Sequence, residues 1–228
     1  GQLNPTGHGD YIVDFRLIDV YKGQQIADGS ISSTQLNLRR TAHEISDIIY
    51  KKLIGVQGTF ATQIVYVKVV KYKRGAKKYT LEISDADGYN RWVLLKSKEP
   101  LLSPAWSPDG RKLAYVSFES RNSAIYIQDL KTGAREMAAS NPGINSAPAW
   151  SPDGALLALT LSKGGNPDIY VLQVASKQLT RITNHGAIDT EPTWSPDGKT
   201  LAFTSDRGGS PQIYEIPVSG GEPKRLTF

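Results

Sequence analysis

The chain contains no cysteine, one methionine and three histidines. Disulfides and thiolate metal centres are therefore excluded, and cysteine usage names no redox compartment. Long apolar runs are also missing. The longest, such as Ile64–Val67 and Ala155–Leu159, fall far short of the roughly 20 residues a membrane-spanning helix needs, so no membrane insertion is expected. No signal peptide is visible, and the chain opens on Gly-Gln-Leu-Asn-Pro without an initiator methionine. A processed protein or an excised piece of a longer one is the expectation.

Catalytic signatures are equally scarce. "HEISD" (His43–Asp47) begins like a zinc-protease motif, but Asp47 stands where the second histidine belongs. There is no Gly-x-Ser-x-Gly elbow for an α/β-hydrolase nucleophile. "GHGDYI" (Gly7–Ile12) is too short for a dinucleotide-binding loop and precedes a strand instead of following one. His8, His43 and His185 lie in unrelated contexts. No paired carboxylates recur outside turns. The residues offer no enzyme, no metal site and no cofactor.

What is present is 228 residues, 39% of them hydrophobic and 21% charged, as in a globular protein with a sizeable core. The net charge of +5 falls entirely on residues 1–100; residues 101–228 are neutral in sum. The excess is close to one cluster: Lys68, Lys71, Lys73, Arg74, Lys77 and Lys78. Such a patch can attract nucleic acid. With no nucleic-acid motif beside it, a solvated hairpin tip is the reading adopted and nucleic acid is not expected as a partner.

The informative feature is a repeat. "AWSPDG" stands at 105–110 and again at 149–154, and "TWSPDG" at 193–198. Trp106, Trp150 and Trp194 are 44 residues apart, as are Pro104, Pro148 and Pro192, and Asp109, Asp153 and Asp197. A second anchor keeps the phase: Ile125-Tyr126, Ile169-Tyr170 and Ile213-Tyr214. Each copy reads as four short strands. "SPDG" closes the first hairpin, with proline pre-setting φ at the second turn position and glycine at the fourth. Four strands in about 44 residues is the period of a β-propeller blade. The tryptophans are expected to wedge between blades. The aspartates could be read as calcium ligands, but a turn carboxylate bonding its own backbone is preferred.

An incomplete copy precedes the three. Thr59–Val70 fits a second strand, Lys77–Gly88 a third with its turn, and Arg91–Leu95 a fourth. The inner strand carrying Trp and SPDG is missing. Residues 59–228 are thus expected to form an incomplete propeller: a partial blade (59–97) and full blades at 101–140, 145–184 and 189–228. That is too few to close a ring of four to eight. Residues 1–58 read as the C-terminal part of an α/β domain. Tyr11–Ala27 alternates like a strand with a turn near Gly23, and a second strand lies near Ile26–Ser33. A helix then begins at a capping box of Thr41 and Glu44, carries Ala42, Ile45, Ile49 and Leu53 as its apolar stripe, and ends at Gly55. The fold class is mainly β, with a partial α+β segment ahead of the blades.

Function on a repeat scaffold tends to sit on its variable loops. Here the longer loops, Glu119–Ser123, Asn141–Ala147, Lys163–Pro167, Asn184–Glu191 and Asp206–Pro211, fall on one face. They supply the candidate partner-binding residues Glu119, Arg121, Asn145, Lys163, Asp189, Glu191, Asp206 and Arg207.

The passage "LRRTAHEISDIIYKKLIGVQGTFATQIVYV", followed by "SDADGYN", "SPAWSPDG", "KLAYVSFES" and "TEPTWSPDGKTLAFTSDRGG", resembles the TolB family, from about Tyr11 to Phe228. "WSPDG" alone is shared with the propellers of prolyl-oligopeptidase-like peptidases and the tricorn protease. The resemblance implies a periplasmic component of the Tol–Pal system, with an N-terminal α/β domain and a six-bladed propeller. It implies a propeller face that binds the lipoprotein Pal and is exploited by some colicins, and support for outer-membrane integrity and cell division. The TolA-binding segment would precede Gly1, and two further blades would follow Phe228. Family Pal contacts lie just before a blade's first strand, matching Asn145, Ser146 and Ala147 in one copy and Thr190 and Glu191 in the next. The alternative is the gating propeller of a serine peptidase. The open ring predicts a further partner, a second copy of the same chain pairing over the uncovered blade faces.

Overall fold

The computed structural model describes residues 1–228, the side chain of Arg74 lying outside the described residues. The chain divides by compactness into two units, residues 1–64 with 83–92, and residues 65–82 with 93–228.

The first unit opens with β1 (Gln2–Gly7), β2 (Asp10–Asp19) and β3 (Gln24–Thr34), an antiparallel sheet in the order β1-β2-β3. The expected turn at Gly23 is present, with φ 63°. The β1–β2 turn is Gly7-His8-Gly9, all three at positive φ; the phosphate-loop look of "GHG" is hairpin chemistry. β1 was not foreseen. Its Pro5 is tolerated because β1 lies at the sheet's edge.

Helix α1 (Leu38–Ile54) follows, ending as expected at Gly55, which sits in the left-handed region and donates its N–H to Lys51 O at 2.9 Å. Its start differs from the expected capping box. The helix begins three residues before Thr41, straight after a 3-10 turn at Gln35–Asn37, and Thr34 is the last extended residue before that turn. Thr41 is buried inside the helix, its hydroxyl donating to Ser33 Oγ on β3 at 2.8 Å. Glu44 instead accepts from Arg40 one turn earlier. The apolar stripe also differs. Ala42 and Leu53 are exposed, and the buried helix residues are Thr41 and Asp47. Asp47 accepts the backbone N–H groups of Phe60 (2.7 Å) and Ala61 (3.0 Å), fastening the chain that leaves the helix. Gly58 is required there, since a Cβ would collide with Asp47.

Next come β4 (Gln63–Lys71), β5 (Lys77–Asp85) and β6 (Trp92–Ser97), a three-stranded sheet in sequence order. These are the second, third and fourth strands of the incomplete copy. Lys68, Lys71, Lys73 and Lys77 are exposed and Lys78 half-buried at the β4–β5 end, while Arg74 lies outside the described residues.

Three four-stranded antiparallel sheets follow. The first holds β7 (Leu101–Trp106), β8 (Lys112–Ser117), β9 (Ala124–Asp129) and β10 (Arg135–Ala139). The second holds β11 (Asn145–Trp150), β12 (Leu156–Leu161), β13 (Asp168–Gln173) and β14 (Leu179–Arg181). The third holds β15 (Asp189–Trp194), β16 (Thr200–Ser205), β17 (Gln212–Pro217) and β18 (Lys224–Arg225). These are the propeller blades of the repeat.

Alternation along the strands packs the blades. Ala114, Val116, Ile125 and Ile127 of the first blade meet Leu157, Leu159, Leu161, Tyr170 and Leu172 of the second, with Trp150 against them. Ala158, Ile169 and Val171, on the second blade's other side, meet Leu201, Phe203, Tyr214 and Ile216 of the third, with Trp194 against them. Each Val, Leu, Ile or Phe among them contributes about 1.5–3 kcal/mol by leaving water. The wedge role of the tryptophans includes a hydrogen bond: Trp150 Nε1 donates to Ala105 O (3.2 Å) and Trp194 Nε1 to Ala149 O (2.9 Å). Trp106 Nε1 is buried with no partner among the described residues. Its counterpart acceptor would lie on an inner strand, which the β4–β6 sheet lacks.

The SPDG turns explain their own repetition. Gly110, Gly154 and Gly198 each donate to the carbonyl of the turn serine at 2.9 Å, with φ between 67° and 72°. Asp109, Asp153 and Asp197 each accept from that serine's hydroxyl at 2.6 Å and from the N–H two residues on. The serine oxygen in turn accepts the N–H that opens the second strand. The serine hydroxyl first, then the backbone N–H, holds all three carboxyls below the usual range.

Candidate interaction face

Antiparallel alternation places the SPDG turns at one end of each blade and the longer loops at the other. Direct contacts join the long loops to one another. Ser162 Oγ accepts from Ile144 N (2.7 Å), Asp206 Oδ1 from Ile188 N (2.8 Å) and Ser123 Oγ from Asn145 N (2.9 Å). Asn166 Nδ2 donates to both His185 O (2.6 Å) and Ala187 O (2.7 Å). Ser123 and Asn166 thus brace the inner strand of the next blade or the approach to it, and Ser162 and Asp206 the approach to the inner strand of their own blade.

The inner strands begin earlier than the sequence suggests. Asn145, Ser146 and Ala147 lie in β11, and Thr190 and Glu191 in β15, not in loops ahead of them. The ladder register slips between Leu102 and Ala105, Ser146 and Ala149, and Thr190 and Thr193. Within each slip one non-glycine residue adopts the left-handed conformation: Ser103 (φ 46°), Ala147 (φ 49°) and Glu191 (φ 54°). These positions are 44 residues apart, and a proline follows each. Left-handed non-glycine residues cost about 1–2 kcal/mol each and concentrate at functional sites. Ser103 belongs to this set and was missed. Its signal is the period alone, because serine, alanine and glutamate share no side-chain chemistry.

The candidate residues separate into two groups. Some are internal brackets. Asn145 is wholly buried, its Oδ1 accepting from Asn141 N (2.8 Å) and its Nδ2 donating to Asn141 O (2.7 Å) and Gly143 O (3.3 Å). Asp189, one period on, is also wholly buried and accepts twice from Arg207 Nη2, at 2.8 and 3.0 Å. Arg207 lies over Phe203 and Tyr214 and donates from Nε to Ser205 Oγ (2.9 Å). Leu101 fills the same position in the first blade and is buried too. Ala147 is buried. Asn145, Asp189 and Ala147 are therefore not surface contacts, as expected from sequence, but the frame behind the surface. Loops closing over the strand ends bury them.

The others reach solvent. Glu119, Arg121, Lys163 and Glu191 are exposed, and Ser146, Thr190, Asp206 and Arg207 are half-buried. Arg135 engages both Glu119 oxygens, at 2.8 and 3.0 Å, and lies 3.7 Å over the Tyr126 ring. Burial works to raise the Glu119 carboxyl, but the Arg135 hydrogen bond and charge outweigh it and hold it below the usual range. Lys163 Nζ lies 5.0 Å over Tyr170. Two residues absent from the sequence-derived set complete the face. Ile144 and Ile188, one period apart, are 47% and 51% exposed while their N–H groups are tied down. Among the described residues no cluster of three or more histidine or carboxylate side chains could hold a metal, and no helix is long and apolar enough to cross a membrane.

The family model described as the TolB beta propeller domain matches residues 50–228. The chain belongs to the TolB β-propeller family. A crystal structure of TolB from Acinetobacter baumannii is 46% identical and superposes over 100% of this chain and 57% of its own length, with a TM-score of 0.93. The Tol-Pal system protein TolB of Thioalkalivibrio sulfidiphilus is 54% identical over 146 residues, 64% of this chain and 33% of that protein. The chain spans about a third of the length of the curated TolB relatives it matches. A puromycin hydrolase mutant structure, at 16% identity and a TM-score of 0.57 over 73% of this chain, shares the propeller fold alone with this TolB-family chain.

Proposed function

We propose that this chain is part of a non-enzymatic interaction scaffold of the Tol–Pal system, working in the periplasm to support outer-membrane integrity and cell division. Residues 1–58 serve as the end of its α/β domain and residues 59–228 as propeller. The long-loop face binds Pal, and colicins use the same surface; TolA is bound through a segment outside this chain. The observation that carries this reading is the in-register set of strained residues, Ser103, Ala147 and Glu191, at one end of three blades and backed by the buried Asn145 and Asp189 frames. A scaffold that spends backbone strain at equivalent places on one face supports recognition there.

The test is titration calorimetry of the chain against the periplasmic domain of Pal, with Glu191→Lys combined with Ser146→Arg as the variant. Both residues have solvent access, and circular dichroism of the variant checks its fold. Binding by the parent chain and a loss of at least ten-fold in the variant are expected. Equal affinity of variant and parent would remove this face from the interface.

A further inference from the structure

We infer that His185 is a pH-sensitive positioning residue for the long-loop face, holding the 184–188 loop in place only while its imidazole is neutral. The inference rests on the interaction face proposed above for its consequence, but the switch itself is a property of the loop.

The geometry assigns the proton. Ala187 N donates to His185 Nδ1 at 3.0 Å. A nitrogen that accepts an N–H carries no proton, so the ring is the neutral tautomer with its proton on Nε2. The imidazolium carries protons on both nitrogens and accepts nothing. Protonation therefore deletes this bond and turns two N–H groups toward each other. His185 is exposed, so solvent protons reach it. Histidine is the side chain whose charge changes between about pH 5 and 8.

The surrounding charges do not substitute for the bond. Asp168 is ion-paired with Arg181 at 2.5 Å and Asp189 with Arg207 at 2.8 Å. Asp206 is engaged with Ile188 N. Lys163 and Glu191 are exposed. None of these groups bonds the His185 ring among the described residues, where Ala187 is its hydrogen-bond partner. The remaining tethers of the loop, from Asn166 to the carbonyls of His185 and Ala187 and from Ile188 to Asp206, do not involve the ring. Acidification thus frees one side of a loop whose next residues are Ile188, Asp189, Thr190 and Glu191.

The experiment uses the ¹⁵N-labelled 228-residue chain. Long-range ¹H–¹⁵N correlation of the His185 ring is followed from pH 8 to pH 5, together with the Ala187 amide and its exchange corrected for the intrinsic pH dependence. The comparison variants are His185→Asn, whose Oδ1 keeps an acceptor at this position without a proton equilibrium, and His185→Ala, which has none. The expected result is a bare Nδ1 at pH 8, and Ala187 exchange rising about five-fold as the ring becomes charged, the size of one ordinary hydrogen bond. H185N should stay flat across the range, and H185A should exchange fast throughout. A protonated Nδ1 at pH 8, or the same pH course in wild type and H185N, would overturn the switch. Affinity for the Pal domain should fall about five-fold from pH 8 to pH 5 in wild type beyond any fall in H185N. Parallel falls in the two proteins would overturn the coupling to binding. A chain that binds no Pal at either pH removes the proposed partner, and the ring and amide readouts still decide the switch.

Discussion

The two units of this chain are stabilised by different means. In the propeller unit, layers of Leu, Ile and Val repeat from blade to blade, and both sides of the second blade are covered. In the first unit the buried apolar side chains are Phe15 and Ile83, while Tyr21, Leu36, Leu53 and Ile54 face solvent. Its helix is fastened by polar groups, Thr41 to Ser33, Asp47 to the 60–61 backbone, and Arg39 and His43 to Asp87 in the β5–β6 turn. An apolar layer spreads its contribution over many contacts. A polar clasp concentrates its contribution in two or three bonds, and one substitution removes it.

Four measurements sharpen or break this contrast. The largest effect is expected inside the propeller, at one of its buried carboxylates. Asp189→Ala leaves the half-buried Arg207 guanidinium without its partner and should lower unfolding stability by about 3 kcal/mol in chemical denaturation. A cost below about 1 kcal/mol would mean that Asn145 and Asp189 are interchangeable fillers. In the first unit, Asp47→Ala strands the Phe60 and Ala61 N–H groups and should cost about 2 kcal/mol. Hydrogen exchange should show the loss confined to residues 38–62; an equal loss in the blades would erase the distinction between the units. Trp194→Phe keeps the wedge and deletes the bond to Ala149 O, for about 1 kcal/mol, read as faster exchange along the seam of the second and third blades.

The last measurement is at alkaline pH. Burial pushes the Tyr115 phenol up from 10.0 to about 12, against the pull of Arg135. The proton is held more tightly in the folded chain, so this stabilisation is complete below pH 10 and is lost as pH rises from 10 to 12. Tyr115→Phe should flatten that part of the stability curve measured by circular dichroism. An unchanged slope would mean that another group titrates there.

The blades were legible because their turn chemistry has few solutions. A tight turn that needs a hydroxyl, a preset φ, a carboxylate and a left-handed glycine fixes Ser, Pro, Asp and Gly, and each copy spells them. The strained inner-strand positions left no such mark, since Ser103, Ala147 and Glu191 are held left-handed by the bulge and not by their own preference. Asn145 and Asp189 looked like surface polar residues; their partners, Asn141 in the preceding loop and Arg207 eighteen residues on, carry no pattern that marks the pairing. Thr41 and Glu44 had capping-box spacing, but the hydroxyl partner of Thr41 is on β3, eight residues upstream. β1, with Pro5 and mostly polar neighbours, carries no alternation to read.

The indole bonds between blades all point the same way. Trp150 reaches back 45 residues to Ala105, and Trp194 reaches back 45 to Ala149. In a chain that emerges from its N-terminus, each acceptor carbonyl appears before the tryptophan that seeks it. Every new blade thus meets a finished template and need not wait for its successor. The propeller can be laid down blade by blade as the chain emerges.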